Sequence, residues 1–396
     1  MADHLTAESA ITVDRWRAAF ESTPRHVFVP RYWELNEYNS PIRLVDSTVP
    51  SHRHEWLQAA YTDRVLVTQW RADEDRRIVT SSASLPSLVA RMLHLLDVAD
   101  GQRVLEIGTG TGYNTTLLCH RLGSANVTSI DVDLRLVAEA VGRLDTVGFA
   151  PTVIAGDGAL GVKDGAPYDR ILSTCASPGV PPAWIDQLAD GGRIVTPLTI
   201  GGALAVLDKT GPGEVSGHLD TDAAWFMAMR SADRSMPVGL LADQPRPVPD
   251  DVAHLGVSTL DPKALTDPDF RLWLLLHQPR LHFVEHVDDQ LTPTGLTVHN
   301  DVDIATAQRH ADGRLHVRQS PPRRLWDTVE SAWMSWTNHD KPRRDRLGIT
   351  ATADGLQYAW LDHPTRTQDK GGRGGVFHWP LPTPRQLPQT TKHPQP

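Results

Sequence analysis

The sequence predicts an α/β protein: a parallel sheet covered by helices on both faces, followed by a C-terminal α+β module. Three observations carry that expectation. Strand-like apolar runs alternate with helical stretches from about residue 80 to 200. Beyond 200 the alternation gives way to the turn signals of antiparallel hairpins. A glycine-rich turn, "VLEIGTGTGY", sits at the end of the first run. At 396 residues the chain is also longer than one usual domain.

Taken in order, residues 1–79 form a mixed N-terminal segment on the substrate side. Within it "VDRWRAAFESTPRHVFVPRYW" shows a short helical pattern that breaks at Pro24 and Pro30. The charge run "RADEDRR" at 71–77 reads as a solvated loop. Residues 80–220 are the expected core. Its first helix is "SLPSLVARMLHLLDV", with Leu88, Val89, Met92, Leu93 and Leu96 at helical spacing. The runs "RVLEIG", "NVTSIDV", "PTVIAGD" and "YDRILSTCA" are its strands, and "GRIVTPL" is a fifth after the helix-like "PPAWIDQLADGG". A hairpin at Gly211-Pro212-Gly213 adds a terminal antiparallel pair. Residues 221–362 form the accessory module, with hairpins turning at Asp312-Gly313 and Asp354-Gly355. Between those turns lies an amphipathic helix with Leu325, Trp326, Val329, Trp333 and Trp336 on one face, a core face rather than a peptide-binding wall. Residues 363–396, rich in Gly and Pro, read as a flexible tail.

Composition removes several function classes. A net charge of −9 argues against a nucleic-acid partner, since duplex binding rests on phosphate neutralisation by Lys and Arg. Two cysteines, Cys119 and Cys175, cannot build a disulfide framework and suit a reducing compartment. The start "MADHLTAESA" has no signal-peptide pattern, and no apolar run is long enough to span a membrane, so a cytoplasmic protein is expected. His282 and His286, and His52 and His54, have ligand-like spacings. No His-Glu-x-x-His accompanies them, and a chain with 18 histidines generates such pairs readily, so no metal is expected.

The glycine turn is the sharpest signal. A phosphate loop would need Gly-Lys-Ser/Thr, and the dinucleotide fingerprint would need glycine where Tyr113 stands. Instead Glu106 precedes Gly108, Gly110 and Gly112. An acid facing the crevice would repel a pyrophosphate and suit a cationic cofactor such as S-adenosylmethionine (SAM). Asp131 and Asp157 end the next two strands, where acids can meet ribose hydroxyls and an adenine edge.

With "IDVD", "AGDGALG", "APYDRILSTCA" and "VPPAWIDQLADGGRIVTPL", the turn resembles the protein-L-isoaspartate (D-aspartate) O-methyltransferase family. "PRHVFVPR" and "AYTDRVLV" upstream are similar to that family's N-terminal motifs. The resemblance covers about residues 20–210. It implies a Rossmann-like class I SAM-dependent methyltransferase fold. It further implies that SAM is bound by Glu106, Gly108, Thr109, Gly110, Gly112, Tyr113, Asp131, Asp157 and Gly158. The family's Ser-x-Pro element corresponds to "SSASLPSL", which nominates Ser84 with Ser82 as a rival; either could instead cap the following helix. "STCASPGVPP" lacks the Asn or Asp that base methyltransferases place before their prolines.

Two departures bear on substrate. "VTQWRADEDRRIVTSSAS" replaces the family's short glycine-containing link, and the chain runs on for nearly as long again. Extensions of this kind resemble those of methyltransferases in ribosomal-peptide (lanthipeptide and graspetide) maturation. They imply methylation of an aspartate in a precursor peptide, leading to a succinimide (aspartimide) or isoaspartate. The alternatives are repair of isoaspartyl damage in proteins and, in a different class, a non-catalytic SAM-fold scaffold.

Overall fold

A computed structural model describes residues 1–8, 10–36, 40–73, 76–231, 253–260, 264, 266–288, 290, 292–300, 302–321, 324–364 and 379–380. The expected tail at 363–396 lies almost wholly outside them.

The N-terminal segment folds as helices α1 (Ala2–Ala7), α2 (Asp14–Ser22) and α3 (Arg25–Phe28), then strands β1 (Arg31–Leu35) and β2 (Pro41–Asp46). Helix α4 (Arg53–Ala60) follows, then β3 (Leu66–Asp73) and β4 (Arg76–Ala83). The four strands form one sheet in the order β2-β1-β3-β4. Of the charge run expected as a solvated loop, residues 71–73 and 76–77 are strand, with Trp70 opposite Val79 and Arg71 opposite Ile78, and residues 74–75 lie outside the described residues. Apolar residues at Val67, Ile78 and Val79 give the flanks a strand character that the intervening charges hide.

The core begins with α5 (Pro86–Leu96) and runs through β5 (Val104–Ile107), α6 (Tyr113–Leu122), β6 (Val127–Asp131), α7 (Leu134–Thr146), β7 (Thr152–Ala155) and β8 (Tyr168–Ser173). Short helix α8 (Pro182–Gln187) leads into β9 (Leu188–Pro197), and β10 (Leu204–Gly211) pairs with β11 (Glu214–His218) across the expected Gly-Pro-Gly turn. Strands β7, β6, β5, β8 and β9 are parallel in that order, and β10 and β11 continue the sheet antiparallel. The helix expected over "PPAWIDQLADGG" is shorter than its pattern. Gln187 is fixed by accepting from the Val162 N–H and donating to the Leu160 carbonyl. Leu188 then already pairs with Tyr168, and Gly191 takes φ 71°, which no helix continues.

The C-terminal part holds β12 (His254–Ser258), α9 (Pro268–His277), β13 (His282–Val287), β14 (Pro293–His299), β15 (Ile304–Arg309), β16 (Leu315–Gln319) and α10 (Leu325–Asn338). Strands β12, β16, β15, β14 and β13 make a five-stranded antiparallel sheet, with the Asp312-Gly313 hairpin where the sequence placed it. Leu325, Trp326, Val329 and Trp336 of α10 are buried, and Trp333 stands edge-on to Phe270 of α9 at 5.0 Å, so the tryptophan face is core. His282 and His286 lie on a strand rather than a helix, and His286 bonds Thr297.

The boundary expected at residue 220 does not divide the structure cleanly. β17 (Leu347–Thr352) pairs with β11, β18 (Gln357–Leu361) pairs with β17, and β19 (Trp379–Pro380) pairs with β18, so the core sheet has ten strands. The antiparallel edge left by the β10–β11 hairpin offers unpaired backbone groups, and the C-terminal hairpin covers it. No helix among the described residues is long and apolar enough to cross a membrane.

Candidate functional site

Right-handed strand–helix crossovers bring the carboxyl ends of β5, β6 and β8 to one edge of the sheet, where ligands of such folds bind. A cavity of about 850 Å³ opens there, within the usual size range of small-molecule sites. Its floor is the glycine turn between β5 and α6. Gly108, Gly110 and Gly112 all have positive φ, at 97°, 54° and 87°. A Cβ on Gly108 would stand 2.6 Å from the Thr174 hydroxyl, so the turn needs both the left-handed backbone and the missing side chain.

Of the residues nominated for cofactor binding, Gly108, Thr109, Gly110, Tyr113, Asp131 and Gly158 line this cavity. Asp131 ends β6 and is buried. Its carboxylate accepts from the Gly110 N–H at 2.9 Å and the Asp133 N–H at 3.0 Å, and burial pushes its pKa up. Among the described residues, two buried polar atoms of the lining have no partner, the Tyr113 hydroxyl and Asn114 Oδ1.

Three nominated residues stand elsewhere. Glu106 was expected to face the crevice; it is fully buried beneath the turn instead. Asn114 Nδ2 donates to it at 2.7 Å, the Thr115 hydroxyl at 2.5 Å and the Ser129 hydroxyl at 2.7 Å, while desolvation raises its pKa. The hydroxyls of Thr109 and Ser129, 2.6 Å apart, continue this network to the turn, so Glu106 shapes the loop from below. Gly112 is the N-cap of α6 and packs on Ala140, where a Cβ would meet the Ala140 Cβ at 3.2 Å. Asp157 accepts from the Ala159 N–H at 2.9 Å and leaves the cavity wall to its neighbour Gly158.

The opposite wall comes from the end of β4 and the start of α5. Ser82 and Ser84 both line the cavity, and an ideal Cβ on Gly110 would lie 4.0 Å from the Ser82 carbonyl. Neither serine caps α5. The N-cap position is Leu85, which has no side-chain cap bond, Pro86 has no N–H to satisfy, and the Asp63 carboxylate accepts from the Ser87 N–H at 2.8 Å. The backbone here is pinned by Arg25, which is wholly buried. Its guanidinium donates to the carbonyls of Ala60, Thr62, Arg64, Ala83 and Ser84. Desolvation pulls the Arg25 pKa down to about 10.

Sequence reasoning missed part of the wall. Thr174 and Cys175 follow β8, and the strand-end rule that found Asp131 could have found them too. Burial pushes the Cys175 thiol up to about 12, which leaves it inert. Residues 225–230 had no sequence signal. They cross the cavity as an extended segment held by Met227 and Met229 on either side of Ala176, at 2.8 and 2.7 Å.

Comparison with known proteins gives a family match over residues 50–232, to the model described as Protein-L-isoaspartate(D-aspartate) O-methyltransferase. A protein-L-isoaspartate O-methyltransferase of Anaeromyxobacter dehalogenans (strain 2CP-C) is 39% identical over 168 residues, 42% of this chain and 79% of that protein. One from Xanthobacter autotrophicus is 47% identical over 116 residues, 29% of this chain and 52% of that protein, so with some curated relatives the chain matches only about half their length. A solved structure of a protein-L-isoaspartate O-methyltransferase superposes with a TM-score of 0.52 at 20% identity, covering 92% of this chain and all of that one. The core has the fold of class I SAM-dependent methyltransferases, and the fold shared with that solved structure continues past residue 232.

Proposed function

This chain belongs to the protein-L-isoaspartate(D-aspartate) O-methyltransferase family, and on that premise we propose that it methylates the free carboxylate of isoaspartyl residues in proteins or peptides, using SAM. The observation that carries the reading is the meeting of the glycine turn, Asp131 and the Ser82–Ser84 edge in one cavity of about 850 Å³.

The residues present fit SAM. Asp131 offers a carboxylate beside the glycine turn for ribose hydroxyls, and Asn114 Oδ1 is an unpartnered acceptor for an N–H of the cofactor. When bound, SAM would supply a sulfonium methyl group for an acceptor carboxylate oxygen, and the C–S electron pair would stay with sulfur. A carboxylate with a pKa near 4 is already ionised at neutral pH, so the protein needs no general base. Its tasks are alignment and exclusion of water, which are worth about 7–11 kcal/mol at most. Ser84 or Ser82 can donate a hydroxyl hydrogen bond to the acceptor while leaving a lone pair free.

The precursor-peptide specificity expected from the sequence rested on two departures, the link "VTQWRADEDRRIVTSSAS" and, above all, the chain's length beyond residue 220. A protein-L-isoaspartate O-methyltransferase shares the fold over 92% of this chain, so the extension does not by itself favour a dedicated peptide. Methyl transfer from labelled SAM to an isoaspartyl peptide, beside its aspartyl twin, tests the reading. Labelling of the isoaspartyl form alone is expected. Silence on both with SAM bound would sink it in favour of a precursor peptide, and absence of SAM binding by calorimetry would leave a scaffold.

A further inference from the structure

Among the described residues two arginines line the cavity, Arg77 and Arg230. Arg77 is committed at the periphery, donating to the Pro41 carbonyl and stacking over Trp70 at 5.1 Å. Among the described residues Arg230 makes one hydrogen bond, from Nη2 to the Thr80 carbonyl at 3.2 Å. A guanidinium has five N–H donors, so most of its capacity is open. The Thr80 bond ties Arg230 to β4 two residues before Ser82, which lines the same cavity. Asp131 and Asp133 lie close enough for Arg230 to favour their ionised forms. Their carboxylates are engaged all the same, Asp131 by the Gly110 and Asp133 N–H groups and Asp133 by Gln69 Nε2 at 3.0 Å. A cavity with fixed acidic charge disfavours an anionic substrate unless a cation offsets it, and Arg230 is placed to do so.

We infer that Arg230 holds the carboxylate to be methylated, against the Ser82–Ser84 edge, and selects a carboxylate over a carboxamide at that position. This rests on the isoaspartyl reading and deepens it. A planar fork matches a carboxylate with two N–H groups and fixes its plane, which a single ammonium cannot do. No proton moves to or from the guanidinium in the transfer. Its role is recognition and orientation.

The test uses the full chain with an isoaspartyl hexapeptide as substrate and, as competitor, the same peptide with a carboxamide replacing the reacting carboxylate. Arg230→Gln is expected to raise KM for the isoaspartyl peptide about tenfold or more. The inhibition constant of the carboxamide peptide, the SAM dissociation constant and the melting temperature should hold, and Arg230→Lys should recover part of the loss. Equal weakening of both peptides, or a rise in the SAM dissociation constant instead, would overturn the assignment. Unchanged kinetics in Arg230→Gln, with an active wild type, would overturn it while sparing the isoaspartyl reading. A wild type silent on the isoaspartyl peptide would remove both.

Discussion

A carboxylate enclosed on every side answers to solvation before it answers to a ligand. Glu106 has three hydrogen-bond donors and no exposure, and its pKa still rises because burial outweighs them. Glu106→Ala would strand Asn114 Nδ2 and two hydroxyls, at a cost of about 3 kcal/mol in urea denaturation, whereas Glu106→Gln keeps the shape and can re-pair with the rotatable hydroxyls. The pH dependence follows from the raised pKa. The folded form holds its proton longer than the unfolded chain, so this contribution is full below the ordinary value of 4.5 and is lost as pH rises through the folded value. Glu106→Gln should therefore flatten the decline in stability expected of the wild type above about pH 4.5. An unaltered slope would mean that Glu106 is solvated. The sequence showed that this acid matters but not where it points. All four residues of β5 are buried, and a strand covered on both faces has no polar side to orient its reader.

At the level of elements, the entrance to α5 separates capping from function. Asp63, in the loop between α4 and β3, accepts from the first-turn N–H of Ser87, and Ser84 lines the cavity. Asp63→Ala should cost about 1 kcal/mol of stability. Ser84→Ala should leave the unfolding midpoint in place and lower kcat with little change in SAM affinity. A stability loss in Ser84→Ala equal to that of Asp63→Ala would return the serine to a structural role. The parallel strands, the terminal hairpin and the tryptophan helix were legible because each satisfies a period or a turn rule over several residues. The segment at 225–230 was not. It has no period of its own and takes its path from two hydrogen bonds to Ala176, about fifty residues away in sequence. The β3–β4 pair was hidden for a related reason, as charges at Arg71, Asp73, Arg76 and Arg77 occupy the ends of two strands whose apolar residues alone reveal them.

The molecule as a whole resists division at residue 220. A chain cut there loses the 225–230 wall of the cavity and exposes the edge of β11 that β17 covers. It also loses the Arg91 ion pair with Asp222, on the far side of the cut. Such a truncation should aggregate or melt well below the full chain in a circular-dichroism scan, and should not report on substrate choice. A soluble fragment with the full chain's melting temperature and SAM affinity would show that the ten-stranded sheet is two independent units.

Among the hydrogen bonds of the described residues, the longest reach in sequence joins Gln357 on β18 to Val180, in the loop after β8: its side-chain oxygen accepts from the Val180 N–H at 2.7 Å and its amide donates to the Val180 carbonyl at 3.2 Å. A ribosome builds the glycine turn early and this clasp late. While the chain emerges, the Val180 N–H and carbonyl lack this partner until residue 357 leaves the exit tunnel. Synthesis therefore sets a clock on this fold, and a chain stalled before that point has its motifs and its cavity lining without this clasp.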